Sequence, residues 1–569
     1  MTQPTPAIVT QGAVRRLPRM PLLLLCVAYV LPGFLGRQPW KSADMSAYGY
    51  MAELARGGTQ WLSPQMMGLP PEVDALLPYW LGAWAMQWAP PWIASDFAAR
   101  IPFVLLLTLT LVASWYASYY LARNPQAQPV AFAFGGEAQP TDYARAMADG
   151  SLLALIACLG LAQLSHETTP ALAQLCFTAL TFFAFTALPY RRLIPALCAV
   201  LGLTGLTLSG APVISALLGS GSILIYLLDR SPESGSQRTK LWWAAGVAVL
   251  CGLLDLMASG LNLWQWRIEL PEASWAEWRS MGRLLLWFTW PAWPLALWTL
   301  WRWRHQLIQG APSRHLSLPL LFSGVPVAAT LSTASADRSL LLALPALAAL
   351  AAFALPTLKR SVAALIDWFT LLFFSGCALI IWVIWIALQT GVPSQPAANV
   401  ARLAPGFEHS FSLFAFLIAI AATLAWAWLV KWRVGRHRAA IWKSLVLPAG
   451  GAVLCFLLLM TLWLPLLDFA RSYAPLVQRT MIVLGPTDCV DVHGLSRGHI
   501  AALRFHGKLL ARPAGSNLGC LWLIVDKDSL ATLPASVNLS QWSLQSNMRH
   551  PSDRDEDLLI YKRKSATPG

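Results

Sequence analysis

Long apolar runs alternate with short polar segments along almost the whole chain. A membrane-spanning helix needs about 20 mostly apolar residues, and the pattern predicts about thirteen such spans. Because the runs are continuous and do not alternate with polar positions, they indicate helices and exclude a membrane β-barrel. The predicted spans cover residues 21–36, 97–121, 146–164, 171–188, 193–208, 212–228, 241–258, 284–301, 316–331, 340–358, 362–388, 411–430 and 445–467.

The composition excludes several other classes of protein. Of the 569 residues, 56% are hydrophobic and 12% are charged, whereas soluble proteins carry about 25% charged residues. A soluble multidomain enzyme and a disordered chain are therefore excluded. The net charge of +14 comes from basic residues scattered over short loops. Nucleic-acid binding proteins have clustered basic patches, so we expect no nucleic-acid partner.

The basic residues also predict the orientation of the chain. They are concentrated in alternate loops, on the same side as Arg15, Arg16 and Arg19. Loops rich in Lys and Arg stay in the cytoplasm, so the N-terminus is predicted to be cytoplasmic. An odd number of spans then puts the C-terminus in the periplasm. We expect a multi-pass protein of a bacterial inner membrane, in contact with membrane lipids.

The chain divides into a cytoplasmic segment, a transmembrane module and a periplasmic domain, predicted at residues 1–19, 20–468 and 469–569. The module has a long outside loop at 37–96, which ends in a Trp- and Tyr-rich stretch typical of the membrane interface. In a second outside loop, Trp264, Trp266, Trp275 and Trp278 predict an interfacial helix.

The last hundred residues have the composition of a soluble α/β domain. Alternating apolar positions predict strands at 481–484, 520–525 and 558–561, and a helix at 498–506. Cys489 and Cys520 are the two cysteines of this domain. An oxidising periplasm would allow them to form a disulfide, and unpaired thiols are the alternative.

Polar residues in the first outside loop are the strongest functional candidates, because ionisable groups at a membrane are costly and often functional. The loop contains Trp40, Lys41, Asp44 and Tyr48 in close succession. Asp44 stands at the start of a predicted helix. It therefore has two interpretations, a helix cap or a functional carboxylate.

This loop resembles the first periplasmic loop of the GT-C glycosyltransferases, in the group that contains protein O-mannosyltransferases and the lipid A aminoarabinose transferases. The group has a Trp before an acid, a following Tyr, a Trp-x-x-Pro and a Pro-x-x-Tyr-Trp element. A late Arg-x-x-Leu-x-x-x-Pro element is similar to the segment that starts at Arg338. The corresponding residues of the first loop are Trp40, Asp44, Tyr48, Trp61, Pro64, Pro78, Tyr79 and Trp80, with Pro78 directly before Tyr79 in this chain.

The sequence departs from this group at two places. Met45 follows Asp44 where the family often has a second acid. Val73-Asp74-Ala75 stands where the aminoarabinose transferases have Glu-Lys-Pro, whose Lys contacts the lipid phosphate. The second departure argues against a true lipid A aminoarabinose transferase.

The resemblance implies an inverting transfer of a sugar from a polyprenyl-phosphate donor to an envelope acceptor, which is lipid A, another glycan or a protein. Such a reaction needs a carboxylate that takes the acceptor proton, and Asp44 is the candidate. Arg37, Lys41 and Arg338 are candidates for the donor phosphate. The resemblance adds four substrate-binding candidates, Trp40, Tyr48, Asp74 and Tyr79. The alternatives are a lipid or solute transporter or flippase, and a non-catalytic relative.

His166 and Glu167 lie in the predicted outside turn between the third and fourth spans. They are candidate metal ligands or supporting polar groups, because carboxylates and phosphate together favour a divalent cation. The alternative is a solvated turn in which Glu167 caps the next helix. The sequence requires no cofactor, and a divalent metal is the one candidate.

Overall fold

The computed structural model describes residues 5–231, 233, 235–264, 274–308, 313–333, 336–434, 440–515, 519–553 and 556–564. Part of the second outside loop, including Trp266, lies outside these residues. The described chain is mainly helical and ends in a small sheet, as the hydrophobic pattern predicts.

The helices are numbered here in chain order, with their bounds. They are α1 Arg19–Val30, α2 Ala43–Ala55, α3 Leu77–Trp88, α4 Ser95–Ala122, α5 Pro140–Ala157, α6 Leu159–Leu164, α7 Pro170–Ala187, α8 Leu193–Leu208, α9 Pro212–Leu228, α10 Gln237–Gly260, α11 Trp275–Phe288, α12 Ala292–Arg302, α13 Arg304–Ile308, α14 Arg314–Thr330, α15 Ala336–Leu341, α16 Leu344–Ala354, α17 Arg360–Thr390, α18 Ser394–Leu403, α19 Leu413–Val434, α20 Val446–Thr461, α21 Leu464–Arg471, α22 Ala474–Leu484 and α23 Arg497–His506.

Six helical segments of the described chain are long and apolar enough to cross a membrane. Several shorter apolar helices, such as α1, α8 and α9, complete the bundle. A multi-pass helical membrane protein is therefore confirmed, whereas thirteen spans and their orientation stay predictions. The six segments are Ser95–Ala122, Pro170–Ala187, Gln237–Gly260, Arg360–Thr390, Leu413–Arg433 and Ile441–Thr461.

Some predicted spans consist of two helices. The run 284–301 is divided between α11 and α12 at Pro291, because proline has no N–H to continue a helix. The run 146–164 is divided at Cys158, where the backbone is extended between α5 and α6. A sequence pattern shows that such runs are apolar, but it does not show where the axis changes direction.

The core of the membrane part is built around α4, α5, α7 and α16, which pack on one another. Helices α17, α19 and α20 form a second apolar cluster beside it. The outer faces of α17 and α19 keep large apolar side chains exposed, as helices that face lipid do. The first outside loop carries α2 and α3, and α2 contacts both α3 and α23.

The C-terminal sheet has the strand order β2-β1-β3-β5-β4. Strand β1 is parallel to β2 and β3, and β5 is antiparallel to β3 and β4. Helix α23 is the crossover between β1 and β2. The strands are β1 Cys489–His493, β2 Leu510–Pro513, β3 Trp522–Asp526, β4 Trp542–Arg549 and β5 Asp557–Arg563.

The predictions for this domain are partly correct. The strands at 520–525 and 558–561 correspond to β3 and β5, and the helix at 498–506 corresponds to α23. The strand predicted at 481–484 is wrong, because these residues end helix α22. Its buried residues Leu476, Val477, Thr480 and Leu484 follow helical spacing.

The predicted division after residue 468 falls inside α21. Cys489 and Cys520 form a disulfide.

Candidate active site

Asp44 lies in the first turn of α2 and is almost completely buried. One carboxylate oxygen accepts hydrogen bonds from the backbone N–H of Thr168, at 2.8 Å, and from its hydroxyl. The other accepts the N–H of Trp40 at 3.1 Å and lies 2.9 Å from the Arg37 guanidinium. The Trp40 N–H precedes the helix and is not one of its own free N–H groups. The helix-cap interpretation of Asp44 is therefore wrong.

Three hydrogen-bond donors and two cations determine the charge of Asp44. Burial disfavours the ionised carboxylate. The Arg37 charge, the hydrogen bonds from Thr168 and the more distant Arg100 outweigh burial, so the pKa of Asp44 lies below its ordinary value. The site therefore holds a buried carboxylate that is ionised at neutral pH.

Arg37 is the cation that neutralises this carboxylate, and its side chain is 1% exposed. It also donates a hydrogen bond of 2.6 Å to the carbonyl of His166. Its Nε and Nη1 groups have no hydrogen-bond partner among the described residues. Buried donors without partners are costly. Within the described chain, these two nitrogens of Arg37 are therefore available to bind an anion.

Trp40 connects Asp44 to a second carboxylate. Its indole N–H donates to Asp468 at 2.7 Å, and its ring lies between two guanidinium groups, those of Arg37 at 4.8 Å and Arg471 at 5.4 Å. Such cation–π contacts hold both arginines near the ring. Burial raises the pKa of Asp468, which is one of the acids that the sequence pattern did not single out.

His166 contributes its backbone carbonyl to the site, and its ring nitrogens do not point to a metal position. Its Nδ1 lies against the carbonyl of Ala162 and its Nε2 lies 3.0 Å from the carbonyl of Tyr29. Burial lowers the pKa of His166 to about 4, so the ring is neutral at neutral pH. Both ring nitrogens face carbonyl oxygens of the fold, which argues against a metal ligand.

Glu167 joins the site to Arg338. Its carboxylate lies 3.4 Å from the Arg338 guanidinium and accepts a hydrogen bond from Gln163 at 3.3 Å. Burial and repulsion from Asp44 raise the pKa of Glu167. Helix α7 begins at Pro170, so the residue at its N-cap position is Thr169 and not Glu167. The capping interpretation of Glu167 is therefore wrong.

Tyr48 and Arg100 form the next part of the site. The Tyr48 hydroxyl lies 2.8 Å from the Ser95 hydroxyl, and Arg100, in the following helical turn, pairs with Asp96 at 2.9 Å. Both arginines of this region, Arg37 and Arg100, are almost completely buried. No group of three or more His, Cys, Asp or Glu residues suited to a metal is present in the described chain.

Three predicted substrate-binding residues lie elsewhere. The Lys41 ammonium is 2.7 Å from Asp553 and 3.2 Å from Glu556. The Tyr79 hydroxyl donates to the carbonyl of Val73 at 3.3 Å. The backbone of Asp74 lies against the turn at residue 210, where a Cβ would come within 2.9 Å of the Asp74 carbonyl. These contacts favour structural roles within the loop and at its junction with the C-terminal domain.

The structure thus brings Asp44, Trp40, Glu167 and Arg338 into one connected group, with Tyr48 at its edge. The sequence analysis did not single out Thr168, Arg100 or Asp468. One signal was available for Arg100, because it is a cation inside an apolar run. Thr168 and Asp468 give no such signal, because their roles depend on contacts with residues that are distant in sequence.

No protein-family model and no curated protein matches the sequence. Solved structures do share the fold. ArnT from Cupriavidus metallidurans bound to undecaprenyl phosphate has a TM-score of 0.59 and 13% identity, with 97% of this chain and 100% of that chain covered. ArnT from the same organism in the apo state has a TM-score of 0.59 and 12% identity, with 95% and 98% covered.

Arabinosyltransferase EmbB from Mycobacterium smegmatis is also similar, at 15% identity over 81% of this chain and 42% of that chain. Its TM-score of 0.39 is too low for a conclusion. The likeness to ArnT extends over almost the whole chain, so the two proteins share a fold, as the resemblance of the first loop led us to expect. At 13% identity this likeness establishes the fold alone, because proteins that share a fold can have different functions.

Proposed function

We propose that this membrane protein is a glycosyltransferase of the GT-C type, which transfers a sugar from a polyprenyl-phosphate donor to an envelope acceptor at the periplasmic face. The observation that carries the proposal is the buried, ionised Asp44 next to Arg37, whose Nε and Nη1 have no hydrogen-bond partner in the part of the chain that the structure describes. The fold supports it, because ArnT shares this fold and binds undecaprenyl phosphate.

In the proposed reaction an acceptor hydroxyl attacks the anomeric carbon of the donor. The new glycosidic bond forms as the bond between that carbon and the lipid phosphate breaks, and the polyprenyl phosphate leaves with the bonding electrons. Asp44 takes the proton of the attacking hydroxyl. Attack from the face opposite the phosphate inverts the anomeric centre.

One oxygen of Asp44 already accepts two hydrogen bonds from Thr168, and the other accepts the Trp40 N–H and pairs with Arg37, so the attacking hydroxyl must displace one of these contacts. The Trp40 N–H and the Thr168 N–H belong to the backbone, and the Arg37 guanidinium is buried. The Thr168 hydroxyl can turn away by rotation about a single bond. We infer that the acceptor hydroxyl replaces the Thr168 hydroxyl at Asp44.

The negative charge of the leaving phosphate needs cationic donors. Arg37 is the first candidate because two of its buried nitrogens have no hydrogen-bond partner within the described ranges. Arg338 is the second, because it is 31% exposed and therefore accessible from outside the core. In this proposal Trp40 keeps Asp44 and Arg37 in place, and no step depends on a metal ion.

The test compares Asp44→Asn with Asp229→Asn. Asp229 forms a second ion pair, with Arg314 at 3.3 Å, and the two pairs are equally buried. Mass spectrometry of envelope glycolipids and glycoproteins from cells with each variant should show a sugar-bearing product that only Asp44→Asn eliminates. Purified protein should bind undecaprenyl phosphate in native mass spectrometry.

Full product formation by Asp44→Asn would overturn the role of the carboxylate. A protein that moves lipid or solute across liposomes, with no product in cells, would identify the transporter alternative. A protein that never binds undecaprenyl phosphate would identify the non-catalytic relative.

A further inference from the structure

Helix α2, which carries Asp44, lies directly against the C-terminal domain. A Cβ at Gly49, in the middle of α2, would come within 2.6 Å of the Ala501 Cβ on α23. The two helices therefore approach so closely that only glycine fits at this position. Near the end of α2, Glu53 pairs with Arg504 of α23. The middle and the end of α2 are thus both held by α23.

The start of α2 is held by a different part of the same domain. Lys41 places its ammonium 2.7 Å from Asp553 and 3.2 Å from Glu556, and its side chain is 15% exposed. Its backbone N–H donates to the carbonyl of Arg471 at 2.7 Å. Residue 41 is therefore fixed by both its backbone and its side chain.

The segment that carries these two carboxylates is itself anchored. Ser552 donates to the carbonyl of Ala470 at 2.7 Å, and the His550 ring lies 3.0 Å from the carbonyl of Ser472. The Tyr473 hydroxyl donates to Glu556 at 3.4 Å. The carboxylates thus meet Lys41 at a junction fixed to the end of α21.

The position of residue 41 determines a hydrogen bond of Asp44. Trp40, the preceding residue, donates its N–H to the Asp44 carboxylate and accepts the N–H of Met45 through its carbonyl, at 2.9 Å. A displacement of Lys41 would move the Trp40 carbonyl, which belongs to the peptide group that the two residues share, and through Trp40 it would shift one of the three hydrogen-bond donors of Asp44. Small displacements of reacting groups reduce rates strongly.

We propose that Lys41 is a positioning residue, through which Asp553 and Glu556 of the C-terminal domain set the geometry of Asp44. One of its tests, product formation, rests on the proposed glycosyl transfer. The other, amide hydrogen exchange, measures the contact itself and does not depend on that function. The proposal differs from a phosphate-binding role for Lys41, because a lysine that binds donor would not need its two carboxylate partners.

The experiment compares Lys41→Met with the double variant Asp553→Asn/Glu556→Gln. Both should reduce the envelope product about tenfold or more and increase amide hydrogen exchange in the peptide that contains residues 40–46. Both should leave undecaprenyl phosphate binding unchanged. Lys41→Arg should recover most of the product, because it keeps the charge at the two carboxylates.

Lys527→Met is the matched control. Lys527 pairs with Asp557 at 2.9 Å inside the same domain, so its removal breaks an ion pair without touching the first loop. It should change neither the product nor exchange at 40–46. Thermal unfolding of each variant shows that the protein is folded.

Two results would overturn the proposal. Unchanged exchange at 40–46 in Lys41→Met would show that the contact does not hold α2. Loss of undecaprenyl phosphate binding in Lys41→Met, but not in the double carboxylate variant, would show that Lys41 binds donor. If Asp44→Asn keeps full product, the proposed function fails, and hydrogen exchange still decides whether Lys41 holds the helix.

Discussion

Arg37 and Asp44 form an ion pair of 2.9 Å in which neither side chain is more than 2% exposed. Removal of one partner from such a pair leaves an uncompensated buried charge, which costs about 3–5 kcal/mol. Replacement of both partners by neutral groups is far less costly. This asymmetry allows the structural and chemical roles of the pair to be measured separately.

Arg37→Gln should destabilise the protein strongly, by about 3–5 kcal/mol, and should abolish the product. The double variant Arg37→Gln/Asp44→Asn should recover most of the thermal stability and none of the activity. Thermal unfolding and envelope mass spectrometry measure the two effects.

The buried pair of Asp229 and Arg314 provides the control cycle. It should show the same pattern of stability, while each folded variant keeps its product. A double variant at residues 37 and 44 that is as unstable as Arg37→Gln alone would contradict this account of the pair.

Arg338→Gln should weaken the binding of undecaprenyl phosphate about tenfold, because a hydrogen bond to a charged group contributes about 1.5–3 kcal/mol. Its stability should change little, since the pair with Glu167 is partly exposed. Native mass spectrometry over a range of lipid concentrations measures the affinity. Arg433→Gln, which breaks the pair with Asp367 between α17 and α19, is the control. Equal affinity in both variants would exclude Arg338 from the phosphate site.

Gly33→Ala should damage the site indirectly. A Cβ at Gly33 would lie 2.2 Å from the His166 ring, so the ring and the carbonyl that binds Arg37 must shift. Overpacking of this kind costs about 1–3 kcal/mol. Gly376→Ala is the control, because a Cβ there meets no atom within 4 Å. A Gly33→Ala protein with wild-type unfolding temperature and product would show that the contact relaxes freely.

Moderate acid should destabilise the protein. Burial lowers the pKa of His166 and of His506 to about 4, and it also lowers the pKa values of His499 and His550. At these four histidines the unfolded chain binds more protons than the folded protein between about pH 6.5 and about pH 4, whereas the raised pKa values of Glu167 and Asp468 act in the opposite direction. The free energy of unfolding falls as the pH decreases through this range.

Unfolding temperatures at pH 7.5 and pH 5 measure this effect. The difference should be smaller in His166→Asn than in the wild type, whatever the absolute stability of the variant. The Asp44 pKa is lowered, so the stability that its charge contributes is lost only as the pH falls from the unfolded value of about 3.9 through the lower folded pKa. A change of unfolding temperature between the two pH values that is as large in His166→Asn as in the wild type would contradict the neutral state of buried His166.

The hydrophobic pattern predicted the helical membrane class, and the two cysteines of the last domain allowed the disulfide, with unpaired thiols as the alternative. Asp44 was singled out as an ionisable group at the membrane, and the family resemblance added Trp40 and Arg338 to the candidates. Thr168 and Asp468 were not found, because a threonine or a lone acid in a loop has no local signature. Lys41 was expected near phosphate, since its amine cannot be distinguished by sequence from one that contacts Asp553.

The hydrophobic pattern alone did not locate the break at Pro291 within an apolar run, although a proline interrupts a helix locally. It also could not distinguish the helical residues 481–484 from a strand, because that distinction depends on the rest of the segment. Four apolar residues in a row fit either element, and the burial of Leu476 and Thr480 in the same helix decides between them.

The disulfide between Cys489 and Cys520 closes a loop of the chain that contains all of α23, the helix against which α2 lies. The redox state of the surroundings is therefore connected to the helix that carries Asp44. Protein synthesised in a reducing host or in a cell-free extract with thiols would lack this link. Its activity would then depend on how it was produced, and oxidative refolding or secretion into an oxidising compartment becomes a requirement for biochemical work on this enzyme candidate.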